Sequence, residues 1–231
     1  MSTYQNLVVA IDGTSGSGKS STSRGVASAL GLRYLDTGAQ FRAMAVAMLR
    51  LGVDVSDPQA VAAHAGAPVI ESGTDPENPT IRLDGEDVEV AIRGAEATAA
   101  VSPVAAVPEV RERLLQMQRA IIGDGGIVVE GRDIGSVVAP NADLKIYLSA
   151  DPSARAERRA LEVGGDRGST EVELLRRDAI DSSRATAPLV VPEGAVHVDS
   201  TYESLEGVIA RIVGMAQESV AARDIKGASH G

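Results

Sequence analysis

The 231-residue chain carries 22 basic against 32 acidic residues, a formal net charge of −10, which speaks against nucleic acid as its main partner. Hydrophobic (44%) and charged (23%) contents are ordinary for a globular protein, and the length suits one large domain, or a core domain with a small insert, either with a substantial core. With no cysteine, disulfides, thiolate metal ligands and a thiol nucleophile are excluded; no leader or membrane-length apolar run is visible, so a cytoplasmic protein with no membrane contact is expected.

Short apolar runs alternate with longer helical patterns, the mark of a parallel sheet with crossover helices. Strands are expected at Leu7–Asp12, Tyr34–Asp36, Ile127–Glu130, Leu144–Leu148 and Val196–Asp199. Helices are expected over Lys19–Leu30, Gln40–Leu51, Glu109–Ile122, Pro152–Leu161, Val172–Ser183 and Tyr202–Arg223. The last places Leu205, Val208, Ile209, Ile212, Val213 and Ala216 on one face. Between about residues 68 and 90 the alternation breaks. Val69–Ser72 reads as a strand, Asp75-Pro76 and Asn78-Pro79 as turns, and Ile81–Val88 as a hairpin closed by Asp84-Gly85. The fold class is therefore α/β: a five-stranded parallel sheet flanked by helices, with a small antiparallel insert. Val163–Thr170, which contains Gly164, Gly165 and Gly168, and the tail from Asp224 read as mobile.

Gly13-Thr14-Ser15-Gly16-Ser17-Gly18-Lys19-Ser20 follows the first strand and opens the first helix. This matches the phosphate-loop pattern G-x-x-x-x-G-K-[S/T] in its required context. Glycines let backbone N–H groups turn onto phosphate oxygens at a helix N-terminus. Lys19 can reach the β- and γ-phosphates, and the Ser20 hydroxyl can ligate Mg²⁺; Ser21 completes the run. A nucleoside triphosphate is the expected ligand. None of the three lysines (Lys19, Lys145, Lys226) fits the [N/T]-K-x-D reader of a guanine switch, and no transporter-type partner motif is present. A small-molecule kinase remains. The other basic residues are 19 arginines, whose planar forks suit bidentate phosphate contacts.

The blocks Ile11-Asp12-Gly13, Leu35-Asp36-Thr37-Gly38-Ala39-Gln40-Phe41-Arg42, Glu130-Gly131-Arg132-Asp133-Ile134-Gly135-Ser136 and Arg184-Ala185-Thr186-Ala187-Pro188-Leu189 together resemble bacterial cytidylate kinases, in order and spacing across nearly the whole chain. The resemblance implies phosphoryl transfer from ATP, with Mg²⁺, to CMP or dCMP by a monomer. It implies a core (about 1–37 and 108–231), a monophosphate-binding region (about 38–107) holding the insert, and a lid (about 155–170). It also implies that Arg42 and Arg132 hold the CMP phosphate and that Arg177 and Arg184, seven residues apart on one helical face, lie near phosphate and sugar. Asp181 would bind the ribose, and Thr37 the phosphate or sugar. Asp133 would accept from the cytosine amine while Arg111 and Ser102 donate to its acceptors. Of Arg155, Arg158 and Arg159, some would neutralise the transferring group, Arg158 and Arg159 foremost; the alternative is a solvated face with ion pairs such as Arg155 with Glu157. Without the resemblance, Ser102 reads as a cap and Asp181 as a surface carboxylate. Asp12 and Glu130 are either orienters of Mg²⁺-bound water or structural. Phe41 stands where relatives often have tyrosine. The three histidines, His64, His197 and His230, read as surface or packing residues. The competing readings are a small kinase for UMP, AMP, dTMP or a non-nucleotide acceptor, and a regulator that binds ATP without turnover.

Overall fold

The computed structural model describes residues 4–163, 166–184 and 186–228. The chain runs β1 (Val8–Gly13), α1 (Lys19–Leu30), β2 (Arg33–Asp36), α2 (Thr37–Arg50), α3 (Pro58–His64), β3 (Ile70–Ser72), β4 (Ile81–Leu83), β5 (Glu86–Asp87), α4 (Ala95–Ala106), α5 (Pro108–Ile122), β6 (Ile127–Gly131), β7 (Leu144–Ser149), α6 (Pro152–Val163), α7 (Arg167–Ser183), β8 (Val196–Asp199) and α8 (Leu205–Ala228). The main sheet is wholly parallel in the order β2-β6-β1-β7-β8. β1, which leads into the phosphate loop, lies at its centre. Ligands of such sheets bind beyond the carboxyl ends of the strands, where Gly13, Asp36, Gly131 and Ser149 all emerge.

Burial follows the strand pattern. Leu7, Val9, Ile11, Ile146 and Leu148 pack with Val26, Ala27 and Leu30 of α1 and Val208, Ile212 and Ala216 of α8. The opposite face packs Ala10, Leu35, Ile127 and Val129 against Ile122 of α5 and Ile134. A further core joins Met44 and Met48 of α2, Ile70 and Leu83 of the small sheet, and Val101, Val110 and Leu114 of α4 and α5. It lashes the antiparallel β3-β4-β5 sheet to the helices that border the cleft. The β4–β5 turn carries Asp84 at φ 51 and Gly85 at φ 83, the two left-handed residues an Asp-Gly hairpin turn requires.

All five main strands and the insert stand as the sequence indicates; the differences lie in helices. α2 begins at Thr37 rather than Gln40, because the Asp36 carboxylate caps it by accepting from the Ala39 N–H at 2.9 Å. α3, capped by Asp57 with Pro58 in its first turn, and α4, which contains Pro103, are additional helices. α7 starts at Arg167 rather than Val172, with Asp166 accepting from the Ser169 N–H. Of the stretch expected to be mobile, residues 167–170 are thus the first turn of a helix, and Gly164 and Gly165 lie outside the described residues. Of the tail, 224–228 continue α8, while His230 lies outside the described residues. Arg184 is the C-cap of α7, with φ −59 and ψ 138, so it shares a site with Arg177 by leaving the helix rather than by sharing its face.

Candidate active site

The phosphate loop bends through backbone only glycine can adopt. A Cβ on Gly13 (φ 154) would lie 2.0 Å from the Leu148 carbonyl oxygen. Gly18, at φ 86, precedes α1 and offers no side-chain cap. The first-turn amides of α1 are therefore left for an external acceptor, the arrangement that binds anions at a helix N-terminus. Lys19 Nζ donates to the Thr14 carbonyl at 2.7 Å. Burial, and then the nearby Arg132 charge, hold the Lys19 ammonium below its ordinary pKa, against the pull of Glu130, Asp178 and Asp12.

One cleft of about 390 Å³ is lined by Ser15, Gly16, Gly18, Lys19, Ser20 and Ser21 on the loop side. Thr37, Arg42, Ser102, Arg111, Arg132, Asp133, Arg159, Arg177, Asp181 and Arg184 line the other side. Gly13, Thr14 and Ser17 belong to the loop without lining the cleft; the Ser17 hydroxyl braces the loop by donating to the Thr14 carbonyl at 2.9 Å. Every residue the sequence singled out for the acceptor is present. Ser102 and Asp181 are buried, so neither is a surface cap or a solvated carboxylate.

Two ion pairs organise this half. Arg111 on α5 meets Asp133, just past β6, at 2.5 Å with each side chain 7% exposed. Arg111 also donates to the Ala105 carbonyl at 3.0 Å and lies over the Phe41 ring, 5.2 Å from its centroid, an attractive cation–π geometry. Arg132 Nε donates to Asp181 at 2.9 Å while its NH1 donates to the Gly13 carbonyl. It thereby spans from α7 to the root of the phosphate loop. Arg184 pairs with the other Asp181 oxygen at 3.6 Å, and Arg42 donates to the Ile92 carbonyl and the Thr98 hydroxyl, both at 3.3 Å. Burial lowers the guanidinium pKa of Arg42 and of Arg177; the next cause is a neighbouring guanidinium, Arg177 for the first and Arg132 for the second. The Nε atoms of Arg177 and Arg184 are buried without a partner. Crowded, partly unsatisfied guanidinium groups form a site complementary to an anion.

The remaining assignments divide. The Thr37 hydroxyl donates to the Glu130 carbonyl at 2.8 Å, which leaves its oxygen to accept rather than to donate. Of the three α6 arginines, Arg159 lines the cleft. Arg158 instead donates to the Ser200 carbonyl and hydroxyl at 2.5 and 3.0 Å. Arg155 is buried against Asp178 and the Ser15 carbonyl, not ion-paired with Glu157 on a solvated face. Asp12 is structural here: its two oxygens accept the Ile134 and Gly135 N–H groups, each at 2.7 Å. Those amides open the π-helical turn Ile134–Val138 that follows Asp133. Burial pushes the Asp12 carboxyl up to about 6 despite both hydrogen bonds.

Glu130 takes a hydrogen bond from the Tyr34 hydroxyl, and Ser20 and Asp36 line the cleft with it; burial first and Asp36 second raise its pKa. Ser20, Glu130 and Asp36 thus make an oxygen-only group at the cleft. This donor chemistry fits Mg²⁺, which needs only one or two protein oxygens beside substrate phosphates. Sequence reasoning named Asp12 and Arg155 without these partners and missed the roles of Tyr34 and Asp178; the run Arg176-Arg177-Asp178, a carboxylate beside two guanidinium groups, was the available hint for the last.

A family model described as cytidylate kinase matches residues 9–218. A cytidylate kinase of Streptomyces avermitilis is 54% identical over 224 residues, covering 96% of this chain and 97% of that protein. A cytidylate kinase of Mycobacterium leprae is 45% identical over 219 residues, covering 92% and 96%. The crystal structure of an uncharacterized protein from Eubacterium ventriosum superposes with a TM-score of 0.53 at 9% identity, covering 92% of this chain and 99% of that one, a likeness of fold alone. With a family match over most of its length and relatives at this identity, the chain belongs to the cytidylate kinase family.

Proposed function

We infer that the protein transfers the γ-phosphoryl group of ATP to CMP or dCMP, giving CDP or dCDP and ADP. One observation carries the choice of base: the buried Arg111–Asp133 pair, in the cleft that also holds Ser102, Arg42, Arg132, Arg177 and Arg184. Cytosine offers an amine to Asp133 and two acceptors to Arg111 and Ser102. Uracil would set a carbonyl against the carboxylate, and a buried polar mismatch of that kind rejects an analogue by up to about 10⁴-fold.

The transfer needs positioning and charge compensation more than covalent help. The loop amides and Lys19 hold the donor phosphates; Arg42, Arg177 and Arg184 hold the acceptor phosphate. Arg132, tied to both the loop root and α7, sits where the two anions meet, with Arg159 covering from α6. The attacking atom is a phosphate oxygen already ionised at neutral pH, so no general base is required. Asp181 bonds the ribose, and Thr37 accepts from the sugar. Mg²⁺ held by Ser20, with Glu130 and Asp36 behind it, would neutralise phosphate charge. Arg158 joins the chemistry only by leaving Ser200 as the lid closes, with α6 and the start of α7 acting as that lid, residues 1–37 and 108–231 as the core and about 38–107 as the monophosphate-binding region. One chain supplies the whole cleft, which supports a monomer, and nucleotide substrates support a cytoplasmic site of action.

The test is ADP release with ATP–Mg²⁺ across CMP, dCMP, UMP, AMP and dTMP. CMP and dCMP are expected to lead; preference for AMP or dTMP rejects the assignment, and ATP binding without acceptor-dependent turnover supports a regulator instead.

A further inference from the structure

The tip of the phosphate loop is gripped from outside by two helices. The Ser15 N–H donates to Asp178 Oδ1 on α7 at 3.2 Å. The Ser15 carbonyl accepts from Arg155 on α6 at 3.0 Å. Arg155 and Asp178 are themselves ion-paired, 5% and 13% exposed, so the two groups on Ser15 are held by one buried unit. The Ser15 N–H belongs to the same peptide plane as the Thr14 carbonyl, and that carbonyl accepts from Lys19 Nζ at 2.7 Å. Holding the N–H outward at Asp178 therefore turns the carbonyl inward to Lys19. The fit is close: a Cβ on Gly16 would come within 3.1 Å of the Arg155 carbonyl oxygen. The neighbours of Asp178 on α7, Arg177 and Asp181, face the acceptor half of the cleft.

We propose that Asp178, acting with Arg155, is a positioning residue for phosphoryl transfer: it fixes the two peptide planes flanking Ser15, so that Lys19 and the loop amides meet the donor phosphates in register with the acceptor-binding face of α7. Neither side chain touches substrate; the effect passes through the loop backbone. The proposal rests on the reading that the loop holds ATP. Misplacing reacting groups by about 1 Å costs up to about 10²-fold in rate, so the expected signature is kinetic rather than merely structural.

The experiment compares wild type with Asp178→Ala, Asp178→Asn, Arg155→Ala and the Asp178→Ala/Arg155→Ala double variant. The readouts are steady-state kinetics, equilibrium titration with a non-hydrolysable ATP analogue, and thermal melting. In Asp178→Ala, kcat/KM for ATP is expected to fall by about tenfold to 10²-fold and analogue affinity by about tenfold, with a smaller change in KM for CMP. Asp178→Asn keeps an oxygen for the Ser15 N–H but loses the ion pair, and is expected to fall by less. The double variant should be no worse than the more impaired single one, because partners in one network are not additive. A kcat/KM for ATP within twofold of wild type in a cooperatively melting Asp178→Ala overturns the proposal, as do additive losses in the double variant. If Asp178→Ala does not fold, wild-type kinetics in Asp178→Asn and in Arg155→Ala overturn it equally. A wild type that phosphorylates no nucleoside monophosphate refutes the assigned reaction instead, and the analogue titration then still tests the role of Asp178.

Discussion

The two halves of the cleft are built on different plans. The donor half is one continuous run, Gly13–Ser20, whose tools are backbone amides, a helix N-terminus and a single lysine. The acceptor half gathers side chains from α2, α4, α5, the turn after β6 and α7. Backbone recognition tolerates almost any small side chain so long as the glycines allow the path, whereas side-chain recognition depends on each guanidinium being held. The buried pairs Arg111–Asp133 and Arg132–Asp181 do that holding before any substrate arrives. Pre-orientation lowers the ordering cost of binding. The donor half is thus a shape, and the acceptor half a set of charges kept in place by one another.

The strongest attempt to break this contrast removes the one cationic side chain of the donor loop. Lys19→Ala is expected to lower kcat by about 10²–10³-fold, the usual effect of losing one electrostatic stabiliser of a transition state. Stability should change little, because burial already disfavours the Lys19 charge. Single-turnover kinetics beside a urea melt check both; near-normal turnover would show that the amides suffice alone.

A second test addresses the join between the halves. Asp12, at the end of β1, holds the turn that carries Asp133 on toward Ile134. Its carboxyl, ordinarily near 3.8, is raised to about 6 in the folded protein, chiefly by burial. The folded state therefore binds this proton more tightly than the unfolded state does. The resulting stability is fully present below about pH 4 and is lost as pH rises through 6. A rise from 3.8 to about 6 corresponds to roughly 3 kcal/mol. Urea unfolding of wild type and Asp12→Asn between pH 4 and 7 should show a downward slope in the former that is absent from the latter; equal slopes would assign the titration elsewhere.

Asp133→Ala sharpens the acceptor half. It leaves Arg111 buried without its carboxylate, a change that destabilises by about 3–5 kcal/mol in comparable pairs, so yield alone is uninformative. The ratio of kcat/KM for CMP to that for UMP is independent of the folded fraction. It is expected to fall by about tenfold to 10²-fold, in line with roughly 1–3 kcal/mol per well-formed base contact. An unchanged ratio would move base reading to Arg111 and Ser102.

The same contrast explains what the sequence made legible. The donor loop was visible because its chemistry is contiguous, and the main strands because buried parallel strands are nearly continuous apolar runs. The acceptor residues became visible only through resemblance, since Ser102 and Asp181 carry no local signature. α4 was hidden because Ala95–Ala106 is apolar on most sides and contains Pro103, which blurs helical periodicity and reads as a breaker. α3 did carry a signal, Asp57-Pro58 as cap and first turn, but one apolar anchor, Val61, is too few for a period. Asp12, Asp178 and Arg155 act across more than 100 residues of sequence on backbone atoms. A hydrogen bond to backbone places no demand on the partner's residue type, so the sequence holds no trace of it.

The smallest expected effect tests how firmly the donor half is seated. α1 lies on the sheet beneath α8, and a Cβ on Gly25 would come 2.2 Å from Ile209 Cδ1 and 2.9 Å from its Cγ1. Gly25 is helical, so alanine would by itself favour the helix by about 1 kcal/mol. Against this, inserting a methyl into a filled contact costs about 1–3 kcal/mol. The atom it meets is the mobile end of a side chain rather than backbone, so the lower half of that range, about 1–2 kcal/mol, applies, and a net loss of at most about 1 kcal/mol is expected. At this chain length that is a fall in Tm of no more than about 2–4 °C. Trimming the obstacle should reverse the sign: in an Ile209→Ala background, Gly25→Ala should stabilise. If it destabilises there as well, α1 is constrained by its backbone position rather than by the α8 contact. Because the loop amides depend on where α1 begins, KM for ATP would then rise alongside the loss of stability, while a pure packing effect leaves it unmoved.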